Sequence, residues 1–191
     1  MMPPAMRLPL VLAALLALAA CGPDTADAPL AEAAAEPETA GTPPTTDLAT
    51  LTASLPADAP ALTVYKTPTC GCCTAWAEYM AREGFRVETR DVVDLAAVKD
   101  SLGVPADLGS CHTGVVADGE ARYVVEGHVP AGPVRRLLAE RPAARGLAVP
   151  GMPIGSPGME QGDVREPYDV LVVGEGGEAA VYEHVPGSTA P

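Results

Sequence analysis

Three of the five cysteines in this chain lie within four residues, Cys70-Gly71-Cys72-Cys73. An apolar run, Leu62 to Tyr65, precedes them and reads as a strand. Cys73 to Glu83 follows and reads as a helix, so the sulfurs sit in a tight strand-to-helix turn. Free backbone N–H groups and the positive end of the helix dipole stabilise anions at such a turn. A thiolate is both a nucleophile and a metal ligand, and a helix N-terminus lowers its pKa. Further donors lie downstream: Cys111 with its neighbour His112, then His128, Met152 and Met159. Each of these also has an ordinary structural reading. His112 suits a hydrogen-bonded loop histidine, His128 a helix-entry residue, and the two methionines suit packing of an irregular loop. His184 has no assigned role. Trp76, one helical turn beyond Cys73, reads as a core residue that also shields the sulfurs from water.

Three chemistries fit the sulfur cluster. Four thiolates with optional imidazole and thioether suit Cu(I), Zn(II) or an iron–sulfur cluster. Cys-x-Cys-Cys is crowded for one tetrahedral zinc, whereas closely spaced thiolates bridge several soft ions, which favours Cu(I). Alternatively, Cys70 and Cys73 have Cys-x-x-Cys spacing and form a redox dithiol with Cys70 as the attacking thiolate. The third reading is a structural disulfide from Cys70 or Cys73 to Cys111.

The surrounding elements must bring Cys111 to the turn. Strand and helix patterns continue with a helix stop at Gly84, a strand at about Arg86 to Asp91, and a helix at about Asp94 to Leu102 with Asp94 as N-cap. A strand over Gly114 to Ala117 leads through the turn signal Asp118-Gly119 to a strand over Ala121 to Glu126. A helix from Pro130 to about Glu140 ends before Pro142. The order β-α-β-α-β-β-α predicts an α/β, thioredoxin-like fold with a mixed four-stranded sheet. In that topology the loop before the third strand, Gly109-Ser110-Cys111-His112-Thr113, lies beside the cysteine turn. His128 starts a helix at the same end. Gly146 to Glu160 is too rich in Gly and Pro for a helix or a central strand, yet too apolar for a solvated loop, so it must pack on something. Tyr168 to Val173 and Ala179 to Tyr182 read as a C-terminal β-hairpin extension. The Lys and Arg residues read as a solvated surface.

The chain of 191 residues is 48% hydrophobic and only 4% aromatic, so its core is mainly Val, Leu and Ala. A net charge of -13 argues against a nucleic-acid partner. Arg7 and the apolar run Leu8 to Ala20 form a signal segment too short to span a membrane comfortably. Leu18-Ala19-Ala20-Cys21 resembles the lipobox of bacterial lipoproteins, which implies cleavage before Cys21, lipidation of that cysteine and stable membrane attachment. Gly22 in place of aspartate points to the outer membrane, facing a periplasm where disulfides form. The expected organisation is a signal peptide over residues 1–20, a lipid anchor and disordered acidic Ala/Pro linker over 21–60, and a folded domain over 61–191. A brief helical turn is expected near Asp47 to Leu51.

Together, Cys70-Gly71-Cys72-Cys73, Ser110-Cys111-His112-Thr113, Glu126-Gly127-His128-Val129-Pro130 and Val149-Pro150-Gly151-Met152-Pro153 through Gly158-Met159-Glu160 resemble the CopG-like family of bacterial extracytoplasmic copper-resistance proteins. The resemblance spans about Leu62 to Tyr182. It implies copper held by Cys70, Cys72, Cys73 and Cys111, with capacity for a multinuclear, thiolate-bridged cluster. It also implies Cu(I)/Cu(II) interconversion, and Met152 and Met159 as accessory or lid residues. Cu(II) prefers harder donors than thiolate, so a cycling site requires His112, water or another ligand. Copper ions, the membrane and copper efflux or redox proteins are the expected partners. Two alternatives stand beside a copper oxidoreductase: a thiol–disulfide oxidoreductase using Cys70 and Cys73, and a non-catalytic copper store or chaperone.

Overall fold

The computed structural model describes residues 47–188. The signal segment, Cys21 and the linker as far as residue 46 lie outside the described residues. The helix α1 (Leu48–Ala53) comes first. β1 (Ala61–Lys66), α2 (Gly71–Arg82), β2 (Arg86–Asp91) and α3 (Leu95–Ser101) follow. Then come β3 (Thr113–Asp118), β4 (Ala121–Glu126), α4 (Ala131–Glu140), β5 (Gly146–Ala148), β6 (Tyr168–Val173) and β7 (Ala179–Val185). Among the described residues no helix is long and apolar enough to cross a membrane.

Local signals explain where the helices stop and start. Gly84, at φ 89°, lets Phe85 N–H reach Met80 O and Gly84 N–H reach Ala81 O. This pair of bonds is the Schellman closure of α2, with buried Phe85 packed at its end. α3 closes in the same way at Gly103, where Val104 N–H reaches Lys99 O. Asp94 caps α3 as expected, accepting a 2.9 Å hydrogen bond from Ala97 N–H. Asp118 pairs with Ala121 across the tight β3–β4 turn.

The sheet has seven strands in the order β2-β1-β3-β4-β5-β6-β7, which corrects the expected four-stranded sheet with a separate hairpin. β1 runs parallel to β2 and antiparallel to β3, and β3 is antiparallel to β4. The join is β5, which pairs parallel to β4 and antiparallel to β6. These three residues were expected to belong to an irregular Gly/Pro loop, too Gly- and Pro-rich for a central strand. Two features allow the strand. It ends before Pro150, so no proline interrupts its ladder. Gly146 also lies against Val124, where any Cβ would overlap the Val124 backbone. The hairpin therefore extends the central sheet instead of standing apart.

One core cluster holds Trp76, Ala77 and Met80 of α2, Val134 and Leu137 of α4, and Leu62, Val64, Val116 and Val125 from the sheet. A smaller cluster, Leu108, Ala148 and Val173, packs separately. Leu48 and Leu51 of α1 pack on the main core, and Thr52 Oγ1 donates to Val87 O. Residues from Asp47 onward thus take part in the packing, ahead of the strand at Ala61. Two basic side chains depart from the expected solvated surface: Lys66 is only 6% exposed, and Lys99 is largely buried.

Replacing Gly146 by alanine forces a methyl group into the β4 backbone and is expected to cost about 2 kcal/mol of stability. A urea midpoint measures this. Gly71→Ala, where a Cβ meets no atom, should stay within about 0.5 kcal/mol of the parent.

Candidate metal centre

Cys70 is the N-cap of α2, and Cys72 and Cys73 lie in its first turn. Cys70 and Cys73 are joined by a disulfide, with Cα atoms 5.4 Å apart. Cys111 is therefore not stapled to either, and it remains a free thiol together with Cys72. Cys72 Sγ stands 3.4 Å from Cys70 Sγ and 3.9 Å from Cys111 Sγ. All four sulfurs lie within 4.8 Å of one another. The β1–β3 pairing causes this meeting. Tyr65, near the end of β1, faces Thr113 at the start of β3, so the loop before β3 arrives beside the turn after β1.

A second donor group shares Cys111. Its Sγ is 3.0 Å from His128 Nε2 and 3.3 Å from His112 Nδ1. The ligating atoms of Cys111, His112 and His128 also fall within 4.8 Å of one another. His128 Nδ1 lies 2.8 Å from the Pro157 carbonyl, which can only accept. The His128 proton is therefore on Nδ1, and its Nε2 presents a lone pair to the sulfur. Metal-ligating histidines are held in this manner by a carbonyl on the far nitrogen. His112 is fully buried, at 4.4 Å from Trp76 and 4.9 Å from His128 between ring centroids. With its Nδ1 toward Cys111, its Nε2 has no hydrogen-bond partner. Native interiors rarely leave such an atom unpaired, and an ion or water at the site is one explanation.

Burial sets the protonation states. It pushes the Cys111 thiol up to about 12, with the neighbouring Cys72 adding to the rise. It holds His112 well below the ordinary histidine value, helped by His128 and Lys99, and lowers His128 as well. Both imidazoles are then neutral near pH 7, the state in which they bind metals.

The Gly/Pro/Met loop crosses the cysteine turn. Gly158, at φ 82°, lies so close to α2 that a Cβ would come within 2.8 Å of Cys72 O and 2.7 Å of Trp76 N. The loop is tied down on its other side by Ser110 Oγ, which donates to Gly151 O. Met152 follows that anchor and is 51% exposed. Met159 is half-buried in the turn where its N–H reaches Ser156 O. Trp76, fully buried, donates to Val129 O and so ties α2 to the segment carrying His128. His184 lies apart, on β7, paired with Asp169 on the surface.

Two residues at the site had no role on sequence. Glu126, 1% exposed, accepts from Ser110 N–H at 2.6 Å and Thr113 Oγ1 at 2.7 Å, and it pairs with Lys99. Burial pushes its carboxyl pKa up, and Lys99 with the two other donors opposes that rise. Glu126 and Lys99 come from different elements; the motif Glu126-Gly127-His128 was the one sequence signal for Glu126, and Lys99 had none.

Comparison with known proteins bears on the same residues. The family described as "Protein of unknown function, DUF411" matches residues 108–159, from just before Cys111 to Met159. Two solved structures of "Copper resistance protein copG" are similar. Form 2 is 45% identical with a TM-score of 0.62, covering 67% of this chain and 99% of its own. Form 1 is 46% identical with a TM-score of 0.61, covering 66% and 98%. No curated protein sequence matches the chain.

His112 supplies a pH test. Its folded-state value is depressed below 6.5, so the unfolded chain takes up the proton first. Stability is full above about pH 6.5 and falls as pH drops below it, by up to ~1.4 kcal/mol per pH unit for this one group. Urea unfolding of the metal-free protein over that range should show the slope, and His112→Phe should reduce it, with His128, also lowered, keeping a smaller slope of the same sign.

Proposed function

The chain belongs to the CopG family of copper resistance proteins, and from that premise we propose that it holds Cu(I) in a cluster of thiolates. The observation that carries the reading is the convergence of Cys70, Cys72, Cys73 and Cys111 within 4.8 Å, with His112 and His128 beside Cys111. Soft sulfur selects Cu(I), and closely spaced sulfurs bridge several ions. The disulfide must first take up two electrons and two protons from an external dithiol reductant, which is itself oxidised to a disulfide. The thiols then lose their protons as copper binds, because the thiolate is the ligand. His128, with its Nε2 lone pair free, and His112 are the nitrogen donors that a cycling site requires for Cu(II). Met152 and Met159 are accessory thioether donors on the loop over the turn. Copper kept in thiolate is withheld from radical chemistry. Cu(I)/Cu(II) interconversion and simple storage or delivery to an efflux partner are both open to this donor set.

The strand order β2-β1-β3-β4, with parallel β1 and β2 and the cysteine turn after β1, supports a thioredoxin-like reading of the first part of the domain. We place the protein in the periplasm, held to the membrane by lipid on Cys21, on the strength of the lipobox-like segment alone.

A second reading has its own observation. The Cys70–Cys73 bond is the oxidised state of a Cys-x-x-Cys thiol–disulfide oxidoreductase. Metal content separates the two. After anaerobic reduction, Cu(I) loading and desalting, the protein should retain more than one copper per chain. Cys111→Ser and Cys72→Ser should lose it while sparing a Cys70–Cys73 dithiol reaction. No retained copper, with a readily reduced disulfide, would give the second reading the field.

A further inference from the structure

We propose that Glu126, paired with Lys99, is the positioning residue that holds Cys111, His112 and His128 in ligating register. Its consequence for metal rests on the copper reading above, but its geometry does not. The Glu126 carboxylate accepts from both sides of the loop that carries Cys111 and His112. Ser110 N–H binds one oxygen and Thr113 Oγ1 the other. Lys99, from α3, pairs with the first oxygen and donates to Thr113 Oγ1 at 2.9 Å and His112 O at 3.4 Å. The loop is therefore gripped immediately before Cys111 and immediately after His112.

Glu126 also ends β4, two residues before His128. The intervening Gly127 N–H donates to His112 O at 3.1 Å. Gly127 has φ 71°, and a Cβ there would meet Val149 O and Ser110 Cβ at 2.5 and 2.6 Å. The chain thus turns sharply from the carboxylate to the imidazole through a position that only glycine fits. One buried charge links the two segments that supply the Cys111, His112 and His128 donors.

An ion pair in this place is a costly way to add stability, since apolar residues of similar volume often serve a core as well or better. Its bonds are directed at the ligand loop and not spread through the core. Supporting groups of this kind orient ligands, and their loss typically weakens metal binding about 10- to 100-fold.

The test uses the whole protein and two variants, Glu126→Gln and Lys99→Met, with Arg90→Gln at the exposed Glu88 pair as control. In metal-free protein with the disulfide intact, iodoacetamide alkylation of Cys111 relative to Cys72 is followed by peptide mass spectrometry. The ratio should rise about fivefold or more in both variants as the loop opens locally, and stay level in the control. In reduced protein, competition with a chromophoric Cu(I) chelator should show affinity about tenfold weaker or worse in the variants. Where only one variant unfolds cooperatively, that one decides. Loss of cooperative unfolding in both would assign the pair to stability alone and overturn the proposal. So would an unchanged alkylation ratio, or a raised ratio with unchanged copper affinity. A parent protein that retains no copper, alongside a raised Cys111 ratio in the variants, would remove the copper reading and leave the loop-holding role standing.

Discussion

The antiparallel pairing of β1 with β3, with Tyr65 opposite Thr113, is the constraint on which the site depends. It brings a loop from the middle of the chain to the N-terminus of α2. A slip of one residue would turn every side chain to the opposite face of the sheet. The buried faces of both strands forbid that slip: Leu62 and Val64 on β1 and Val116 on β3 belong to one core. The site is therefore as well placed as the core is well packed. Trp76 serves both, with its ring in the core and against His112, and its N–H on Val129 O.

Oxidation state controls what this arrangement offers. With Cys70 and Cys73 bonded, Cys72 and Cys111 are the thiols left at the site, and the imidazoles gather around Cys111. With that bond reduced, the first turn of α2 presents three sulfurs to a fourth. The two imidazoles beside Cys111 and the four sulfurs thus form two overlapping donor groups that share Cys111. Cu(II) and Cu(I) differ in donor preference along that same line.

Desolvation keeps the donors in reserve. Burial, with the neighbouring Cys72, holds the Cys111 thiol protonated, and burial holds the two histidines neutral, His112 packing against Trp76. A metal bound at Cys111 must displace that thiol proton, so binding there releases a proton and strengthens as pH rises. The same burial requires that the Glu126 carboxylate be met by Lys99 and two further donors.

Local features were legible in the chain. The cysteine turn, the Gly84 stop, the Asp94 cap and the Asp118-Gly119 hairpin each depend on residues a few positions apart, so the sequence alone determined them. It also determined that the cysteine turn would lead into a helix N-terminus at Cys73, whereas the helix begins earlier, at Gly71. β5 was not legible, because a three-residue strand containing glycine has no pattern of its own and exists only through β4 and β6. Lys99 read as part of a solvated surface, and Glu126 only as a strand end within the motif around His128, because their partners lie far away in the sequence. The tertiary structure alone decided the Cys111–His128 contact, the closure of the loop over Cys72 and the meeting of Glu126 with Lys99. Those contacts join residues far apart in the chain, and only sheet register and core packing bring such residues together.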